Sequence, residues 1–132
     1  MAENITTTRR SREKFAEAHA HGNPVPAITE VGWGDGGVDV NGDVIMPTDD
    51  MSAVPGEFLR NAVKNVEQPY NNDELRVWLL TRLDADEDNV VGEEVSSCGL
   101  YDDAGDLIAI RNFSVKGMDE DTVIEIEWIE EF

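Results

Sequence analysis

Little in this chain invites covalent or redox chemistry. Its single cysteine, Cys98, excludes an internal disulfide and any cysteine-based zinc centre. Cys98 lies in an apolar run, which marks a buried structural thiol rather than a nucleophile. The only histidines, His19 and His21, stand two apart at the end of a helix-forming segment, so they do not share a helical face. That position suits an interaction with the helix C-terminus. No Gly-x-Ser-x-Gly element, Cys–His pair or isolated carboxylate pair in an apolar context is present, and no catalytic residue or organic cofactor is expected. No apolar run approaches the length needed to cross a bilayer. The opening MAENITTTRRSREKF has charge but no apolar stretch behind it, which argues against a secretory leader. The expectation is a soluble chain made in the cytoplasm.

What the chain has in abundance is acid. Ten basic residues stand against twenty-nine acidic ones over 132 residues, a formal net charge of 10 − 29 = −19. Such a charge repels nucleic-acid phosphates and anionic membranes, so neither is an expected partner. Disorder does not follow, because Trp33, Trp78, Trp128 and several β-branched runs supply core material. Only three of the basic residues are lysines. An acidic, lysine-poor surface is what a salt-loving host would select, since salt screens the self-repulsion. The length suits one domain, 1–132, with residues 1–7 expected as a flexible arm.

Residues 8–21 form the one clear helix. Thr7, Thr8 or Ser11 caps it, Phe15, Ala18 and Ala16 are expected on its inner side, and Gly22 with Pro24 and Pro26 ends it. Strands and turns follow. Residues 27–33 read as a short strand, and 38–47 as a hairpin about Asn41-Gly42. Pro55-Gly56 breaks the chain before an extended segment at 57–66. Over 74–83, Leu75, Val77, Leu79 and Leu83 share one strand face and Arg76, Trp78, Leu80 and Arg82 the other. A second hairpin has arms 94–101 and 107–113, with Gly105 available for positive φ. The last strand sets Ile124, Ile126, Trp128 and Glu130 on its buried face. One helix and about seven strands without strand–helix alternation predict an α+β fold with a mainly antiparallel β-sheet or small sandwich.

Three motifs are candidates for function. GWGDGG, residues 32–37, superficially offers a phosphate loop, but a strand and turn follow where a helix would have to open. It reads as a bend, with Asp35 available to bond turn amides. Asp84, Asp86 and Asp88 alternate as in a calcium loop, although Asn89 replaces the turn glycine and Val95 the bidentate glutamate. They are the candidate metal ligands, with a solvated acidic loop as the plainer reading. Arg9, Arg10, Arg12 and Lys14 place four of ten basic residues in half a helix. Read plainly they are a solvated face; read functionally, Arg9, Arg10 and Arg12 are a docking surface for an acidic partner.

The order of segments carries more than any one motif. GDGG at 34–37, Asp39–Gly42, Pro47-Thr48, Glu57–Arg60 and the hairpin Val95–Phe113 together resemble the N-terminal domain of phage tail-collar fibre proteins, from about residue 8 to 113. The resemblance implies a virion part that attaches a fibre to the tail baseplate, usually within a trimer, with other tail, baseplate and fibre proteins as partners. It also implies a protein made in the host cytoplasm and carried in the virion. The sequence ends at Phe132 without a shaft or tip, so the expectation is a stand-alone adaptor or collar piece onto which another fibre protein docks. The rival expectations are a small acidic nucleic-acid mimic and a calcium-dependent binding module.

Overall fold

The computed structural model describes residues 5–63 and 76–131. Residues 64–66 of the expected 57–66 segment, Glu74 and Leu75 of the expected 74–83 strand, the first four residues and Phe132 lie outside them, as do the side chains of Arg76, Glu130 and Glu131. The fold is α+β with mainly antiparallel sheets. The chain divides into two compact units, Met1–Asn61 with Glu94–Lys116, and Ala62–Glu93 with Gly117–Phe132.

The first unit holds strand β1 (Ile5–Thr7), helix α1 (Arg9–His21), β2 (Ile28–Gly34), β3 (Glu57–Ala62), β5 (Glu94–Asp102) and β6 (Leu107–Gly117); the other strands are β4 (Arg76–Asp84) and β7 (Val123–Glu131). Its five-stranded sheet runs β1-β6-β5-β2-β3, with β1 antiparallel to β6 and β2 antiparallel to β5. Residues 5–7, expected within a flexible arm, are therefore an edge strand. β5 is buried along all but its first residue, as a central strand covered on both faces should be. Trp33 and Cys98 are fully buried and paired in register, and the Trp33 indole donates to Asn61 Oδ1 at 2.9 Å. Val54, Tyr101, Leu107 and Ile110 form a core cluster with Met51 against it.

Thr8 is the helix cap. Its hydroxyl oxygen accepts from Ser11 N at 3.2 Å and the hydroxyl donates to Leu107 O at 2.6 Å, so the cap also ties α1 to β6. Gly22 ends the helix in the left-handed region, at φ 73. The helix's inner face differs from expectation. Ser11 and Lys14 are buried while Phe15 is 41% exposed and Ala16 is exposed; only Ala18 is half-buried. An apolar-stripe rule misses this because the stripe at 8, 11 and 14 is polar, and its burial follows from the bonds it makes.

The expected 38–47 hairpin is reduced to one bridge, Val38 with Val44. Asp39 Oδ1 accepts from Asn41 N and Asp43 N at 2.8 and 3.0 Å, and Gly42 takes φ 83. The turn Asp102–Asp106 repeats it: Asp102 Oδ1 accepts from Ala104 N and Asp106 N, both at 3.0 Å, with Gly105 at φ 87. The strings DVNGD and DDAGD thus build the same three-residue loop, in which glycine alone takes the left-handed position.

In the second unit, β4 and β7 pair antiparallel from Arg76↔Glu131 to Asp84↔Val123 with no shift in register. Leu79, Leu83, Ile124 and Trp128 are buried, the faces the alternation predicts. The Trp128 indole donates to Thr81 Oγ1 at 3.0 Å, and that hydroxyl donates to Ile126 O.

Candidate docking site

The glycine-rich segment is a bend, but for a reason other than turn geometry. None of Gly34, Gly36 and Gly37 has positive φ. Their backbones instead lie against other backbone. A Cβ on Gly34 would stand 2.3 Å from Pro55 O, and one on Gly37 would stand 2.0 Å from Ser96 O. Gly36 N donates to Pro55 O at 3.0 Å and Gly37 N to Ser96 Oγ at 2.9 Å. The segment is thereby clasped between the Pro55-Gly56 corner and β5. The amides of Gly36 and Gly37 are thus spent on the fold, and no helix opens after the segment to receive a phosphate.

Beyond that corner, Glu57 and Arg60 hold Tyr101. The Tyr101 hydroxyl donates to Glu57 Oε1 at 2.5 Å and accepts from Val54 N at 3.0 Å. Arg60 lies 3.6 Å over the Tyr101 ring and donates to Glu57 Oε2 through two nitrogens at 3.1 and 3.0 Å. A guanidinium stacked on an aromatic face and forked onto a carboxylate fixes all three groups. Burial, and then the bond to Glu57, push the Tyr101 phenol up to about 12. The folded state holds that proton more tightly than the unfolded chain does. The stabilisation is therefore complete below about pH 10, the ordinary tyrosine value, and is lost as pH rises towards about 12. In a Tyr70→Phe variant, absorbance titration should find the remaining phenol ionising near pH 12. A midpoint near the ordinary value would mean that the hydroxyl is not enclosed.

The basic helix is less basic than its sequence. Lys14 is buried and bonds Asp102 Oδ2 as well as Asp106 Oδ2, the latter at 2.6 Å. Arg10 reaches Glu17 at 3.2 Å and Asp106 at 3.4 Å, and Arg12 reaches Asp49 at 2.5 Å. Arg9 is exposed and donates its backbone N–H to Asp49 O at 2.7 Å. Lys14 thus belongs to the interior, while Arg9, Arg10 and Arg12 share the exposed part of one helix. Two of these three arginines already hold carboxylates of their own chain. The link from Lys14 to the Asp102 turn was not legible in sequence. Its one trace is the repeated D-x-x-G-D string, which marks Asp102 as a turn cap with a second oxygen to spare.

Asp84, Asp86 and Asp88 are neighbours in a turn. Asp84 Oδ1 accepts from Asp86 N and Glu87 N at 3.0 and 3.1 Å, and Asp88 Oδ2 accepts from Asp84 N at 2.8 Å. Bonds from Glu87 N, Asp86 N and Arg82 hold the Asp84 carboxyl below its ordinary range, against a smaller opposing effect of desolvation. Asn89 takes φ 56, a conformation that asparagine tolerates. Among the described residues no group of three or more His, Cys, Asp or Glu side chains is arranged to hold a metal ion. Cys98 is buried and desolvation pushes its thiol up, which makes it a poor nucleophile. No helix among the described residues is long and apolar enough to cross a membrane.

The sequence model of the family described as phage tail-collar fibre protein, N-terminal, matches residues 1–117. No curated protein and no solved structure matches the chain.

Proposed function

The chain belongs to the phage tail-collar fibre family, N-terminal domain, and from that membership we propose that it is an attachment piece joining fibre proteins to the tail baseplate. Its role is structural, as part of a virus tail and in association with other tail proteins. One observation carries the finer reading: the residues that bear the family signature are consumed internally. Gly34, Gly36 and Gly37 are clasped by Pro55 and Ser96, and Glu57 and Arg60 are spent on Tyr101. What remains for partners is outer surface rather than a pocket of reactive groups.

On this reading the exposed face of α1 around Arg9, Arg10 and Arg12 contacts an acidic neighbour, either the baseplate or a sister chain in a trimer. Arg9 is the informative position, because it takes no part in the ion pairs that bind Arg10 and Arg12 to Asp106 and Asp49. Arg9→Glu should leave the melting temperature within a few degrees of wild type and reduce incorporation into particles by about tenfold or more, since a like charge across an interface costs on the order of several kcal/mol. The triple reversal at Arg9, Arg10 and Arg12 should abolish incorporation. Particles that take up the triple variant normally would remove this surface from the account.

A further inference from the structure

We propose that the open edge of β7 accepts an extended segment of another protein in which apolar and basic residues alternate. Among the described residues β7 has one sheet neighbour, β4, so no described strand pairs with its other edge along its nine residues. An edge of that kind is a template for a further strand, and proteins usually blunt it with proline, lysine, a bulge or brevity. The segment VIEIEWIEE has no proline or lysine, and its register with β4 is unbroken. A two-stranded ribbon is also marginal by itself, so a third strand would add both hydrogen bonds and cover.

The side chains select the occupant. Glu125 and Glu127 project from the exposed face of β7, while Ile124 and Trp128 are buried on the other and Ile126 is half-buried there. A strand laid along the edge places alternate residues beside Glu125 and Glu127, and the intervening ones beside Ile124, Ile126 and Trp128. The first set favours lysine or arginine; the second favours apolar residues. β4 already sets Arg82 opposite Glu125. A second copy of β7 is the disfavoured occupant, because it would bring its own glutamates against Glu125 and Glu127. β7 lies beyond the residues that the family match covers, so this inference stands independently of the attachment reading and of the α1 surface.

The test uses the full chain and a labelled nine-residue peptide alternating valine and lysine, followed by fluorescence anisotropy and by amide exchange on β7. Expected are binding, slowed exchange along β7, and a loss of about tenfold in affinity for Glu125→Lys with Glu127→Lys. Glu94→Lys with Asp103→Lys changes net charge equally at exposed positions of the other unit and should leave affinity within about twofold. Three results would overturn the proposal. A peptide with all its lysines at one end could bind as well as the alternating one. The Glu94 and Asp103 variant could lose as much affinity as the β7 variant. Light scattering at low salt could find the chain already self-paired through β7, the second copy then being the occupant.

Discussion

Replacing Lys14 by methionine is expected to lower the unfolding free energy by about 3–5 kcal/mol, the usual cost of removing one partner from a buried ion pair. Asp102 has a side chain only 1% exposed and depends on Lys14 for its Oδ2. Methionine keeps the stem's bulk but leaves that carboxylate buried and uncompensated. Asp102 Oδ1 still caps the 102–106 turn, so the carboxylate cannot rotate out to water without giving up its bonds from Ala104 N and Asp106 N. Adding Asp102→Asn should recover at least about 1 kcal/mol of the loss, because a neutral amide keeps an acceptor for the turn and carries no stranded charge. Urea unfolding followed by circular dichroism reads both. A loss below about 1 kcal/mol in the single variant, inside the range of surface pairs, would mean that the pair does not fasten the helix.

Lys14 and Asp106 also set a pH dependence with a definite sign. Its bond from Lys14, chiefly, holds the Asp106 carboxyl below its ordinary value, against some opposing desolvation and with further help from Arg10. That stabilisation is present above the ordinary aspartate value of about 3.9 and is lost as pH falls through the lower folded value. For Lys14, burial acts to lower its value, but its bonds to Asp102 and Asp106 outweigh it and the net direction is up. Its contribution is complete below about pH 10.4 and fades above that. Lys14→Met should therefore flatten the acid limb of the stability curve as well as lower its plateau.

The second large effect is expected at Gly37. Alanine there sets a Cβ 2.0 Å from Ser96 O and 2.7 Å from the Ser96 carbonyl carbon, and neither atom can yield without shifting the central strand β5. The loss should reach about 3 kcal/mol or more, the upper end for overpacking. Gly42→Ala is the contrast. Gly42 holds φ 83 with nothing within 4 Å of its added Cβ, so the penalty is conformational only, about 1–2 kcal/mol. Denaturant midpoints of the two variants separate close approach from turn geometry. Equal losses would return the GDGG segment to the ordinary-turn explanation.

Much of the fold was legible in sequence because it rests on short-range rules. Period-two alternation placed β4 and β7, divided β4 into its two faces and named the buried face of β7. Capping chemistry bounded the helix at Gly22 and narrowed its start to Thr7, Thr8 or Ser11, of which Thr8 is the cap, and Gly105 marked the hairpin turn through the φ that only glycine takes freely. The order of weak motifs pointed to the tail-collar fibre family, since order survives where single motifs are not specific. What failed were the statements that needed a neighbour distant in sequence. Phe15 reads as core until Lys14 finds Asp102, which is 88 residues away. Glycines 34, 36 and 37 read as turn residues until Pro55 and Ser96 arrive against them. By itself the sequence determined most of the secondary structure, the family and the overall charge, because propensity, alternation and charge are properties of the local chain; β1 and the reduced 38–47 hairpin were the exceptions. Tertiary structure decided which charges are buried and which glycines lie against other backbone, because burial and contact depend on segments that meet only after folding.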